Sequence, residues 1–96
     1  MIWIVLCKDK ENAYEKRMSV LEEHRKYLST NPIRTLLSGP MMDKNNNMMN
    51  GSFFMVEAET EEEIHEFQKN DPIYKAGVWK EIIISPFNKR VDNLSF

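Results

Sequence analysis

The chain has one cysteine, Cys7, so no disulfide can form within it, and a reducing compartment is compatible with that. It has no apolar run approaching the ~20 residues that cross a bilayer. The longest run near the N-terminus is Ile2 to Cys7, and no basic segment precedes it as in a secretory signal. Neither sign of charge dominates: 13 basic residues against 15 acidic give a net charge of −2. Basic residues are interspersed with acidic ones, which argues against a nucleic-acid or anionic-membrane surface. There are only two histidines, and no Cys/His spacing suggests zinc, so no metal is expected. No internal repeat and no long linker divides the 96 residues, which read as a single domain, 1–96, with residues 87–96 as a polar tail. A domain of this size has a thin core that a partner subunit would help.

What is present is a series of apolar runs. Met1 to Cys7 is apolar on both faces and rich in β-branched and aromatic residues, as in a strand covered on both sides. Ala13 to Ser29 reads as one amphipathic helix with Tyr14, Met18, Leu21 and Leu28 on its buried stripe, stopped by Asn31-Pro32. Ile33 to Ser38 is a second strand, ending at Gly39-Pro40. Met41 to Asn50 is an Asn-rich loop with four methionines, closed by the turn dipeptide Asn50-Gly51. Ser52 to Ala58 is a third strand. Thr60 and Glu63 form a capping box that opens a helix running to about Asn70. Asp71-Pro72 starts a further helical turn, which Gly77 stops. Val78 to Ser85 is a fourth strand, ended by Pro86.

The order β-α-β-β-α-β predicts an α+β, ferredoxin-like fold: a four-stranded antiparallel sheet with two helices on one face. The other face is left bare, yet strands one, three and four carry apolar residues at both parities. An uncovered apolar face of that size is rare on a monomer, so a homodimer stacked sheet on sheet is expected.

Two polar residues stand out. His24 lies about 60° from Leu21 on a helical wheel, at the edge of the buried stripe. Asp71 is a helix cap that could also meet His24, because helix one and the turn after helix two can approach in this topology. A carboxylate beside an imidazole fixes its tautomer and favours proton transfer near neutral pH. The plainer readings are a histidine satisfied by a backbone carbonyl and an aspartate that only caps. Tyr27 and Tyr74 could donate to a ligand or simply pack. The N–H groups around Ser38 and Gly39 could face a pocket or simply end a strand. Trp3 and Trp79 read as core or interface, His65 as wet, and Cys7 as a buried structural thiol. The loop methionines could form a soft-metal or hydrophobic-ligand patch, a dimer contact or a lid.

These residues also carry a resemblance. His24-Arg25-Lys26-Tyr27-Leu28 resembles the H-x-x-Y-L element of the YciI-like (YCII-related) proteins. Ser38-Gly39-Pro40, Gly51-Ser52, Val56-Glu57-Ala58 and Asp71 to Val78 follow in that family's order, from about Ile2 to Phe87. The Met41–Asn50 segment departs from the shorter Asp/Gly-containing turn of the family. The resemblance implies a ferredoxin-like dimer of the dimeric α+β barrel type, an architecture shared with muconolactone isomerases and small antibiotic-biosynthesis-type monooxygenases. It implies a His–Asp site, here His24 and Asp71. One related group is associated with dehydrochlorination of a chlorinated hydroxyquinol, and most members have no established reaction.

The expected function is cytoplasmic acid/base chemistry on an unknown small molecule, of isomerase or lyase (dehydrochlorinase-like) type. His24 and Asp71 would be catalytic, Ser38, Gly39 and Tyr74 ligand-binding, and no cofactor would be needed. The alternatives are a non-catalytic dimeric module that binds a small ligand or regulates a partner, and a cofactor-free oxygenase.

Overall fold

The apolar N-terminal run becomes β1, Ile2–Asp9, and its alternation decides where everything else lies. Trp3, Val5 and Cys7 are buried, whereas Ile2, Ile4 and Leu6 on the opposite face are only half-buried. The computed structural model describes residues 1–94. Along the chain β1 is followed by α1 (Tyr14–Ser19), α2 (Leu21–Ser29), β2 (Arg34–Met42), β3 (Met49–Glu57), α3 (Glu61–Lys69), α4 (Pro72–Lys75) and β4 (Trp79–Phe87). The strands form one antiparallel sheet in the order β2-β3-β1-β4, the ferredoxin-like arrangement. The helices lie on one face. Phe54 and Val56 from β3 join Trp3, Val5 and Cys7 in the core, against Ile64, Phe67, Ile73 and Val78. Both tryptophans are core residues, and Trp3 Nε1 donates to Ala58 O at 3.1 Å.

The helix expected over Ala13–Ser29 is broken at Val20, whose φ of −114° and ψ of 6° are not helical. Ser19 Oγ donates to Lys16 O at 2.7 Å, a local bond of the kind that bends helices. The buried face changes as a result. Met18 is 40% exposed, and Arg17 takes the inward position. Asn31, at φ 55°, ends α2 in the left-handed conformation just before Pro32.

The sheet is longer than expected at four ends, one of them that of β1, which runs past Cys7 to Asp9. Ser38, Gly39 and Pro40 lie inside β2 rather than at its end, and Pro86 lies inside β4. Both prolines are tolerated because β2 and β4 are edge strands, where a missing N–H can face away from the sheet. Asn50-Gly51 lies inside β3 rather than turning the chain: Gly51 pairs with Lys8 and Met41, and Asn50 sits at a register irregularity. The turn is Asp43–Met48, where Asp43 Oδ1 accepts from Asn45 N at 2.8 Å and Asn47 has φ 57°. The loop of Met41 to Asn50 therefore shrinks to its middle residues. Gly51 is required where it stands, because a Cβ there would come within 2.6 Å of Cys7 O. Glu63 accepts from Thr60 N and Glu59 N at the start of α3, the return half of the capping box.

Candidate active site

Asp71 is where the helical layer and the chemistry meet. It is fully buried at the start of α4, and its Oδ1 accepts from Ile73 N at 2.8 Å, the cap expected of an Asp-Pro pair. The same carboxylate faces α2: His24 Nδ1 lies 2.8 Å from Oδ1 and 2.9 Å from Oδ2. Asp71 is thus both a cap and the partner of His24. A carboxylate that close on both oxygens requires a proton on Nδ1, so the neutral imidazole leaves Nε2 with a free lone pair. The ring is steadied from below by Phe54 in an edge contact, with centroids 6.5 Å apart at 70°.

His24 also lines a cavity of about 150 Å3 between α1, α2 and the β2–β3 hairpin, to which Asp71 does not contribute. Leu21, Leu28, Pro40, Met49 and Phe54 are its apolar walls, and Ser38, Gly39 and Ser52 line its sheet side. Ser38 pairs with Phe54, and Pro40 with Ser52, so the side chains of these β2 residues point to the helical face. Two of the expected ligand-binding residues, Ser38 and Gly39, therefore share a cavity with His24. Tyr74 does not: it is 45% exposed on α4, packs edge-on against Trp79, and borders a separate hollow beside β4.

Tyr27 and Cys7 stand beside the pair but are engaged elsewhere. Tyr27 donates to Phe67 O at 2.7 Å and stacks on the Phe67 ring. Burial, then the nearby Asp71 and Glu66 carboxylates, raise its phenol above the ordinary value. Cys7 is fully buried, and its Sγ meets Gln68 Oε1 at 3.4 Å. Burial first, then Asp71, pushes the thiol far above its usual range, so it remains protonated and is a poor nucleophile. His65 is exposed and bound to Glu61, well apart from His24. Among the described residues no three His, Cys, Asp or Glu side chains are gathered as a metal would require.

The residue that sequence reasoning missed is Arg17. It is 1% exposed, and its Nε and Nη2 clamp Asp9 at 2.7 and 2.8 Å while Nη2 also reaches Ser52 Oγ at 2.9 Å. Arg17 lines the same cavity as His24. One signal was available: Arg17 is seven residues before His24, two helical turns away, and thus on the same face despite its charge.

Comparison with known proteins agrees with this architecture. The family model of the YCII-related domain matches residues 1–88. Protein YciI of Escherichia coli is 31% identical over 96 residues, covering 93% of this chain and 98% of that protein. The 5-chloro-2-hydroxyhydroquinone dehydrochlorinase of Burkholderia phenoliruptrix, solved with 2,5-dihydroxybenzoquinone, superposes with a TM-score of 0.83 at 28% identity, over 92% of this chain and 94% of that one. A candidate antibiotic biosynthesis monooxygenase from Bacteroides thetaiotaomicron, 13% identical with a TM-score of 0.58 over 100% of this chain and 94% of that one, shares the fold alone. The arrangement of sheet and helices is thus common to this chain and both solved structures. With a matching model over nearly the whole chain and a relative of almost equal length, this protein belongs to the YCII-related domain family.

Proposed function

We propose that this protein is a small-molecule enzyme working by general acid/base chemistry, with His24 Nε2 as the proton acceptor and Asp71 as the group that orients the ring. The observation that carries the proposal is the two-sided placement of His24. Its Nδ1 is held by a buried carboxylate at 2.8 Å, and the residue also lines a cavity shared with Ser38 and Gly39, from which that carboxylate is absent. In such a site Nε2 takes a proton from a C–H or O–H of the bound molecule. The electron pair left behind forms a new double bond. It then expels a leaving group as its anion (elimination), or the imidazolium returns the proton to another carbon (isomerisation). The negative Asp71 stabilises the imidazolium in between, without itself taking the proton. Proton transfer of this kind calls for no cofactor.

The likeness to a dehydrochlorinase supports elimination as the first reaction to test. Binding of 2,5-dihydroxybenzoquinone, followed by its visible absorbance, and chloride release from 5-chloro-2-hydroxyhydroquinone are measured for the wild type and for His24→Ala. The expected result is binding by both and turnover by the wild type alone. Equal turnover by a folded His24→Ala overturns the assignment. A second reading has its own support, because the cap at Ile73 N accounts for Asp71 without any chemistry. Binding without turnover of any ring compound by the wild type would put the non-catalytic module in place of the enzyme.

The proposal includes a homodimer formed through the open face of the sheet. Ile2, Ile4, Leu6, Phe53, Met55, Leu37, Ile83 and Phe87 share that face, opposite the helices. Four strands ~4.8 Å apart and about nine residues long make a flat area of roughly 550 Å2, near the ~800 Å2 per partner of a stable interface once side-chain relief is added. Sedimentation at micromolar concentration should give a dimer, and Leu6→Glu should give a monomer; a monomeric wild type overturns this. A cytoplasmic setting is part of the same reading, supported by the free thiol of Cys7.

A further inference from the structure

Arg17 is the most deeply buried charged side chain that the acid/base reading does not use. Its contacts with Asp9 and Ser52 use Nε and Nη2. Nη1 has no partner among the described residues. It is also absent from the sealed, unpartnered polar atoms, which among the described residues are Gln68 Nε2 and Trp79 Nε1. Nη1 is therefore not sealed off, and Arg17 is one of the residues that line the cavity beside His24.

The charges around this cavity are arranged in order. Arg17 and Arg25 are in the lining, and no carboxylate is. Asp9 and Asp71 stand behind it, each bonded to the lining residue in front, Arg17 and His24. The lining thus presents guanidinium N–H groups on one side and the His24 ring on the other, with the negative charge held outside. The two-point clamp from Asp9 and the bond to Ser52 fix the Arg17 plane before any ligand arrives. Fixed donors are what stabilise an oxygen that carries, or gains, negative charge. The walls between are apolar, and a cavity of about 150 Å3 is of the size that holds one benzene ring.

We propose that Arg17 is the oxyanion-holding residue of the His24 cavity, and that the site takes a single-ring compound bearing an ionisable oxygen, a phenol or an enolisable ring ketone. The ring oxygen sits on Arg17 Nη1 as the anion while His24 Nε2 removes the proton, so the electron pair released at the ring is delocalised onto an oxygen that is already held. The inference rests on the reading of this cavity as a small-molecule site.

Two probes test it without knowledge of the natural substrate. 4-Nitrophenol ionises near neutral pH and its phenolate is yellow; nitrobenzene has the same ring without the oxygen. Binding to the wild-type protein is measured by calorimetry, and the ionisation of bound 4-nitrophenol by its absorbance. The expected result is a preference of roughly tenfold or more for the phenolate over nitrobenzene. The yellow band of the bound probe should also persist below the pH at which the free probe loses it. In Asp9→Leu/Arg17→Met, which removes both charges so that neither is left buried alone, the preference should collapse to near unity. A preference that survives in this variant shows that His24, not Arg17, holds the anion and overturns the assignment. If the double variant does not fold, the side-chain 1H–15N signals of Arg17 in the wild type decide. They should shift with 4-nitrophenol and not with nitrobenzene, and equal shifts overturn the proposal. Binding of both rings without preference defeats the role of Arg17 but leaves the cavity a ligand site, whereas binding of neither ring defeats the small-molecule reading as well.

Discussion

The Asp9–Arg17 pair should show a large, non-additive effect on stability. Arg17 is 1% exposed and the Asp9 side chain is 5% exposed, and two hydrogen bonds of 2.7 and 2.8 Å join them. Removing one partner leaves the other charge buried alone, which costs about 3–5 kcal/mol. Arg17→Met should therefore destabilise by about 4 kcal/mol, and it also frees Ser52 Oγ. Asp9→Leu should cost a similar amount, since the guanidinium would keep only its 2.9 Å bond to Ser52. Independent effects would add to about 8 kcal/mol, enough to unfold most domains of this size. A buried ion pair replaced as a unit by apolar residues of similar volume is often neutral. The double variant should therefore lose no more than about 2 kcal/mol. The coupling energy should be about 6 kcal/mol by this arithmetic, and at least 2 kcal/mol given the usual spread of such numbers. Urea unfolding of all four proteins, monitored by circular dichroism, measures it. For a domain of this length each 1 kcal/mol corresponds to about 4–8 °C in Tm, so thermal scans should rank the four alike. Additive losses, with a coupling below about 0.5 kcal/mol, would refute the view that these two residues form one buried unit.

Other outcomes follow from single contacts. Gly51→Ala should cost about 1–3 kcal/mol in the same urea assay, because its Cβ would meet Cys7 O at 2.6 Å and push β3 from β1 beside Ser52; an unchanged midpoint would mean the strands part freely. Cys7 should resist iodoacetamide in the folded protein and react only on unfolding. Because its folded thiol is held above the ordinary value of about 8.5, only the unfolded chain loses that proton as pH rises. Stability should then fall by up to about 1.4 kcal/mol per pH unit above ~8.5, relative to Cys7→Ala. A pH profile identical in the two proteins would contradict the burial of this thiol.

The architecture was legible because four apolar runs and two capped helices are local signals. The Asp71-Pro72 start and the Gly77 stop of α4 lie where a cap, a proline and a left-handed residue belong, with Gly77 at φ 70°. His24 and Asp71 could be named but not joined, since 47 residues separate them and only the packing of α2 on α4 sets their distance. Strand ends were misplaced because Pro40 and Pro86 read as stops; nothing local says that their strands lie at the sheet's edges. The exposure of Met18 and the burial of Arg17 are not legible in the sequence for a similar reason. Apolar residues are ordinarily buried and arginines exposed, and the exception depends on Asp9 and Ser52, brought in by the pairing of β1 with β3. A tyrosine can donate to a ligand or simply pack, and sequence does not separate the two for Tyr74, which α4 sets against Trp79 beside a different hollow.

The central claim is that Asp71 holds a proton on His24 Nδ1 and so keeps Nε2 free to accept one. The direct measurement is the 15N spectrum of the His24 imidazole in the wild type and in Asp71→Asn. Asparagine keeps the cap on Ile73 N. With its oxygen there, that oxygen still lies 2.8 Å from Nδ1, while its NH2 group takes the place of Oδ2 at 2.9 Å, so the charge and one of two acceptors are lost. The wild type at a pH where the ring is neutral should show a protonated Nδ1 and a bare Nε2, and the variant should fold with a smaller share of that tautomer. A bare Nδ1 in the wild type, or an equal share of that tautomer in both proteins, would contradict the account.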